Sequence, residues 1–126
     1  CAFAKESGAR VIFYYAKPGY CPAYVSGEMV IGDFGIDEAF MAAMDKQAKA
    51  LLAAAAQIAS AMDVACETLS TECDTPYEGI IAAAEDRACD LIFMASHGRR
   101  GVSALLLGSE TQRVLTHSKI PVLIYR

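Results

Sequence analysis

The residue types and spacings best suited to chemistry lie in Ala95-Ser96-His97-Gly98-Arg99-Arg100-Gly101 and in Leu105-Leu106-Leu107-Gly108-Ser109-Glu110-Thr111-Gln112. They follow an apolar run, Asp90 to Ala95, and end where a helix should begin. A glycine-rich connection between a strand and a helix N-terminus is a common seat for phosphate in an open α/β sheet. Glycine lets backbone approach an anion closely because no Cβ intervenes. Ser109 and Gln112 have capping-box spacing, which predicts Ser109 as the N-cap. The N–H groups after it would favour negative charge, and Arg99 and Arg100 add positive charge. These features suggest a phosphorylated ligand held by backbone amides. The same residues would also make a tight strand-to-helix connection with no ligand at all.

The loop matches neither Walker A nor the Gly-x-Gly-x-x-Gly fingerprint. His97 reads first as a solvated or backbone-bonded loop histidine, and only second as an acid. His117 suits the C-terminal end of a helix. Ser103, Ser109 and Ser118 belong to no nucleophile motif. Asp37, Glu78, Glu85 and Asp86 fall at helix starts or on exposed faces, so none is assigned acid–base work. Tyr14 reads as core, with Tyr15, Tyr20 and Tyr24 resting on a loop.

The elements that must position this loop can be read in order. Cys1 to Gly8 looks like the end of a helix, with Gly8 just past its C-terminus. Arg10 to Ala16 is β-branched and aromatic, as a doubly buried strand is. Lys17 to Gly35 holds two prolines and four glycines, so it reads as a long irregular loop. Asp37 would cap a helix with an apolar stripe of Phe40, Met44, Ala48, Leu51, Ala55, Ile58 and Met62. Val64 to Thr71 reads as a strand, more polar and nearer an edge. Thr75-Pro76-Tyr77-Glu78 combines an N-cap, proline at the first helical position and an early acid. That helix turns Tyr77, Ile80, Ile81, Ala84 and Ala88 inward. Asp90 to Ala95 is a strand, Glu110 to Ser118 a helix, and Pro121 to Tyr125 the last strand. This alternation predicts a doubly wound α/β fold with a mainly parallel sheet and right-handed crossovers.

A chain of 126 residues is expected to form a single domain, 1–126. No apolar run reaches the roughly 18–20 residues of a membrane span. A net charge of −4 argues against sequence-independent nucleic-acid binding. The five cysteines form no CxxC pair and lack structural zinc spacing. Cys66 and Cys89 read as buried reduced thiols, and a cytoplasmic compartment is expected.

These residues, together with Ile120-Pro121-Val122-Leu123-Ile124-Tyr125, resemble the C-terminal half of the universal stress protein family. Its nucleotide-binding members carry Gly-x2-Gly-x9-Gly-Ser/Thr; here the spacing is Ala95-x2-Gly98-x9-Gly108-Ser109, with alanine at the first position. Gly8 to Ala16 matches the family's second strand. The resemblance implies binding of ATP, with magnesium or another divalent ion accompanying the triphosphate. Ala16 and Met94 would adjoin adenine, and Ala95, His97, Gly98, Arg99, Gly108, Ser109, Glu110 and Thr111 would surround the rest of the nucleotide. It also implies a five-stranded sheet ordered 3-2-1-4-5, of which this chain supplies strands 2 to 5. The first strand would then lie upstream of Cys1, come from a partner chain, or be absent from a variant topology. A homodimer through the C-terminal strand is expected, with a sensing role and no dedicated catalysis beyond slow ATP hydrolysis. The alternatives are a dimeric stress protein that binds no nucleotide and an enzyme acting on an adenylylated substrate.

Overall fold

The computed structural model describes residues 1–18, 34–96 and 107–125, with backbone alone at 34–37. The described elements are α1 (Ala2–Ser7), β1 (Val11–Pro18), α2 (Phe34–Ala61), β2 (Cys66–Cys73), α3 (Pro76–Asp86), β3 (Ile92–Ala95), α4 (Ser109–His117) and β4 (Val122–Tyr125). They fall into two compact units, Cys1–Asp74 and Thr75–Arg126. The fold is α/β with parallel strands, as expected. β1 pairs with β2, setting Val11 beside Cys66 and Ala16 beside Thr71. β3 pairs with β4, setting Ile92 beside Val122 and Ala95 beside Tyr125.

Three helix ends are closed by the same device. At α1, Ala9 N–H donates to the Ala4 carbonyl and Gly8 N–H to that of Lys5. At α2, Val64 donates to Ala59 and Asp63 to Ser60; at α3, Cys89 donates to Ala84 and Ala88 to Glu85. Each is a Schellman pair around one left-handed residue. That residue is Gly8 at φ 68°, Asp63 at φ 55° and Ala88 at φ 49°. Glycine takes this conformation freely, whereas alanine adopts it at a cost of about 1–2 kcal/mol.

In the first unit, Ala4, Ala59 and Val64 are buried, with Cys1, Val11, Phe13 and Met62 packed against them. The expected α2 stripe is only partly right. Ala48 and Ala59 are buried, but Phe40, Leu51 and Ile58 are 38%, 37% and 58% exposed. The buried positions of α2 are small ones, and Ala59 belongs to the cluster that Val11 and Phe13 of β1 pack against. α2 also starts before Asp37, its expected cap. Tyr15 lies within β1 and not on a loop.

Cys66, expected to be buried, is exposed. It opens β2 beside a shallow cavity of about 200 Å³ lined by Arg10, Val11, Ile12, Ala65 and Glu67. In the second unit, Ala84, Ile92 and Val114 form the buried core. Ile80, Ile81, Cys89, Met94, Ile120 and Val122 pack around it. Ala88, expected on the inward side of α3, is instead the exposed turn residue after it. No helix among the described residues is long and apolar enough to cross a membrane.

Candidate functional site

Two bonds fasten the carboxyl end of β3 to the start of α4, and a third fastens it to β4. Ser96 is buried, and its N–H donates to the Tyr125 carbonyl at 2.9 Å. The Ser96 carbonyl accepts the Gly108 N–H at 2.8 Å, which joins the residue after β3 to the cap of α4. Thr111 is 3% exposed, and its Oγ1 donates to the Ala95 carbonyl at 3.0 Å. The amino end of α4 is therefore held at the strand end where ligands bind in open α/β sheets.

The cap is Gly108, not Ser109. The first intrahelical bond runs from Gln112 N–H to the Gly108 carbonyl at 2.9 Å. Gly108 has extended backbone, φ −59° and ψ 148°, and Ser109 is already helical. Capping-box spacing is thus present without a capping box. Ser109 is left exposed on the first turn, where helical N–H groups lack intrahelical partners and the helix dipole favours anions.

Glu110 has other partners. Its Oε2 accepts the Tyr77 N–H at 2.9 Å, and its Oε1 lies 3.3 Å from Arg113 Nη1. Met94 turns inward and packs on the second unit's core, while Ala95 alternates to the exposed side. Ala95, Gly108, Ser109, Glu110 and Thr111 are thus gathered around one strand-to-helix junction. Ala16 lies in the other unit, on β1. His97, Gly98 and Arg99 fall outside the described residues.

Two groupings at the carboxyl end of β1 and β2 were not foreseen from sequence. Lys17 Nζ donates to Asp45 Oδ1 at 2.6 Å and lies 3.4 Å from Glu72 Oε1. The Asp45 bond is the main reason the lysine titrates above its ordinary range. The same bond holds the Asp45 carboxyl below its ordinary range. The Tyr14 hydroxyl bonds Thr71 Oγ1 at 2.5 Å and lies 3.9 Å from Cys73 Sγ. Partial burial is the main influence pushing that phenol up; the Thr71 bond opposes it. Their only sequence signal is the alternation of β1, which places Lys17 and Tyr14 on opposite faces. Among the described residues no cluster of three or more His, Cys, Asp or Glu is placed to hold a metal.

Compared with protein families, the whole chain, residues 1–126, matches the universal stress protein family. The chain belongs to that family. Among the relatives that match its sequence over a short stretch are two from Methanocaldococcus and Synechocystis. Universal stress protein MJ0577 of Methanocaldococcus jannaschii is 43% identical over 51 residues, 40% of this chain and 32% of that protein. Universal stress protein Slr1230 of Synechocystis is 43% identical over 49 residues, 39% of this chain and 17% of that protein. These matches thus span about a third or less of either relative's length.

Solved structures agree over nearly all of the chain. A universal stress protein family member from Burkholderia pseudomallei aligns with TM-score 0.72 at 22% identity, covering 98% of this chain and 79% of that one. The structure of MJ0577 aligns with TM-score 0.73 at 21% identity, covering 98% and 85%. At these identities the likeness concerns the fold. Within the universal stress protein fold, the junction of β3 and α4 carries the motif positions Ala95, Gly108 and Ser109.

Proposed function

We propose that this chain is an adenine-nucleotide-binding universal stress protein domain, with ATP as its ligand and a sensing role in the stress response. The observation that carries this reading is the junction itself. The first turn of α4 is fastened to the end of β3 through Ser96, Gly108 and Thr111, and the family's phosphate motif spans that junction. The groups present suit a phosphate: a half-buried glycine cap, an exposed serine and helical N–H donors.

In this reading the amides of Ser109, Glu110 and Thr111, with Gly98, His97 and Arg99, take the phosphates, and Gly108, whose own N–H is bonded to Ser96, lets them approach closely. Met94 and Ala95 border the base and ribose. A divalent cation such as Mg²⁺ enters with the triphosphate. The frame of this reading is the family's five-stranded sheet ordered 3-2-1-4-5, within a single domain. The protein is cytoplasmic, and two copies join through β4.

A second reading is a dimeric stress protein that binds no nucleotide and acts through protein contacts. Ala95, standing where the family's nucleotide-binding members have glycine, favours it. Titration calorimetry with ATP and Mg²⁺ decides between them. Saturable one-to-one binding supports the first reading; no heat of binding in the folded protein supports the second.

A further inference from the structure

Glu110 is the second residue of α4, yet its side chain serves α3. Its Oε2 accepts the N–H of Tyr77, the second residue of α3, at 2.9 Å. The residue before, Pro76, has no N–H to offer. Thr75, the N-cap of α3, makes no side-chain capping bond. Glu110 therefore caps α3 from the neighbouring helix.

The rest of Tyr77 is also held from α4. Arg113, which lies 3.3 Å from Glu110 Oε1, sets its guanidinium 5.6 Å from the centre of the Tyr77 ring. The His117 ring lies 5.0 Å from the same ring, and the Tyr77 hydroxyl donates to Glu78 at 2.8 Å.

We infer that Glu110 is a positioning residue for the phosphate-binding turn: it latches the first turn of α4 to the N-terminus of α3. This rests on the nucleotide reading above. An uncommitted carboxylate beside Ser109 would repel a phosphate approaching the same turn. Bonded to the Tyr77 N–H and Arg113, its charge is partly neutralised and directed toward α3. The latch also fixes the direction in which the first-turn amides of α4 point, by tying that turn to a second helix.

The sign of the effect is the test. Affinities for ATP, ADP and adenosine are measured by calorimetry on the full chain, for the parent, Glu110→Ala and Glu110→Gln. Glu110→Ala is expected to weaken ATP and ADP about tenfold and to leave adenosine unchanged. Glu110→Gln, whose amide oxygen still accepts from Tyr77, should restore ATP affinity to within about threefold of the parent. Hydrogen exchange at the Tyr77 amide should quicken in Glu110→Ala and recover in Glu110→Gln.

Equal or tighter ATP binding by Glu110→Ala overturns the proposal, because the carboxylate would then be a repelling neighbour. Equal weakening of adenosine overturns it as well, since that marks a general loss of fold. Unchanged exchange at Tyr77 overturns the latch whether or not nucleotide binds. A parent chain that binds no ATP defeats the nucleotide reading and the positioning role with it. A parent that binds while both variants match it defeats the latch alone.

Discussion

Both backbone polar groups of Gly108 are engaged: its N–H bonds Ser96 and its carbonyl starts α4. Its φ of −59° is open to any residue, so backbone strain does not explain glycine there. On the proposed nucleotide reading, close approach of a phosphate does. Gly108→Val is therefore expected to fold normally and to weaken ATP at least tenfold, about 1.4 kcal/mol. An unchanged dissociation constant would remove Gly108 from the site. Ala88 presents the opposite case. It is exposed and held at φ 49° after α3. Ala88→Gly should stabilise the protein by about 1 kcal/mol in denaturant unfolding. At Gly8 the reverse change, Gly8→Ala, should cost about as much. Among the described residues, no atom beyond its chain neighbours stands within 4 Å of the added Cβ, so the effect expected is backbone strain. Gly8 is legible in the sequence as a helix end. Ala88 is not, because nothing in an alanine announces a left-handed turn.

At the scale of elements, Lys17 ties the end of β1 to α2 through Asp45 and to β2 through Glu72. Asp45 titrates below its ordinary range, so its contribution is complete above about pH 4 and fades as pH falls through the lowered value. Lys17 titrates above its ordinary range, so its contribution is complete below about pH 10 and fades as pH rises through the raised value. Lys17→Met should lower the unfolding midpoint across that plateau, most at low salt, with the gap closing at both ends. A gap that stays constant from pH 2 to pH 12 would show that packing, not charge, is what Lys17 supplies. The same scale explains the partial misreading of α2. Phe40, Leu51 and Ile58 repeat with helical period as well as Ala48 and Ala59 do. Period alone does not say which arc of a long apolar helix meets a sheet.

For the whole molecule, the outer side of β4 is where the proposed assembly can be tested. Among the described residues it pairs only with β3, and an apolar edge invites pairing with another chain. Val122 and Ile124 alternate with Leu123 and Tyr125, which are 37% and 67% exposed. Leu123→Lys thus adds charge at the edge without entering the core that Val122 packs against. If two copies pair through β4, sedimentation should show the parent as a dimer and this variant as a folded monomer, a loss of at least tenfold in association. A dimer that persists would place the interface on another surface.

Local physics made much of this protein readable from sequence alone. β-Branched, alternating or apolar runs marked all four strands among the described residues. Thr75-Pro76 marked the start of α3, and the glycine and serine spacing marked the junction of β3 and α4. Each of these is settled by neighbours a few residues apart. The tertiary structure decided what depends on distant partners. It moved the cap from Ser109 to Gly108, because the first intrahelical bond begins there. It buried Thr111 on the Ala95 carbonyl. It turned the Glu110 carboxylate to the Tyr77 N–H, 33 positions away in the chain. A side chain's partner across such a separation is set by how helices and strands pack, and no local pattern encodes that.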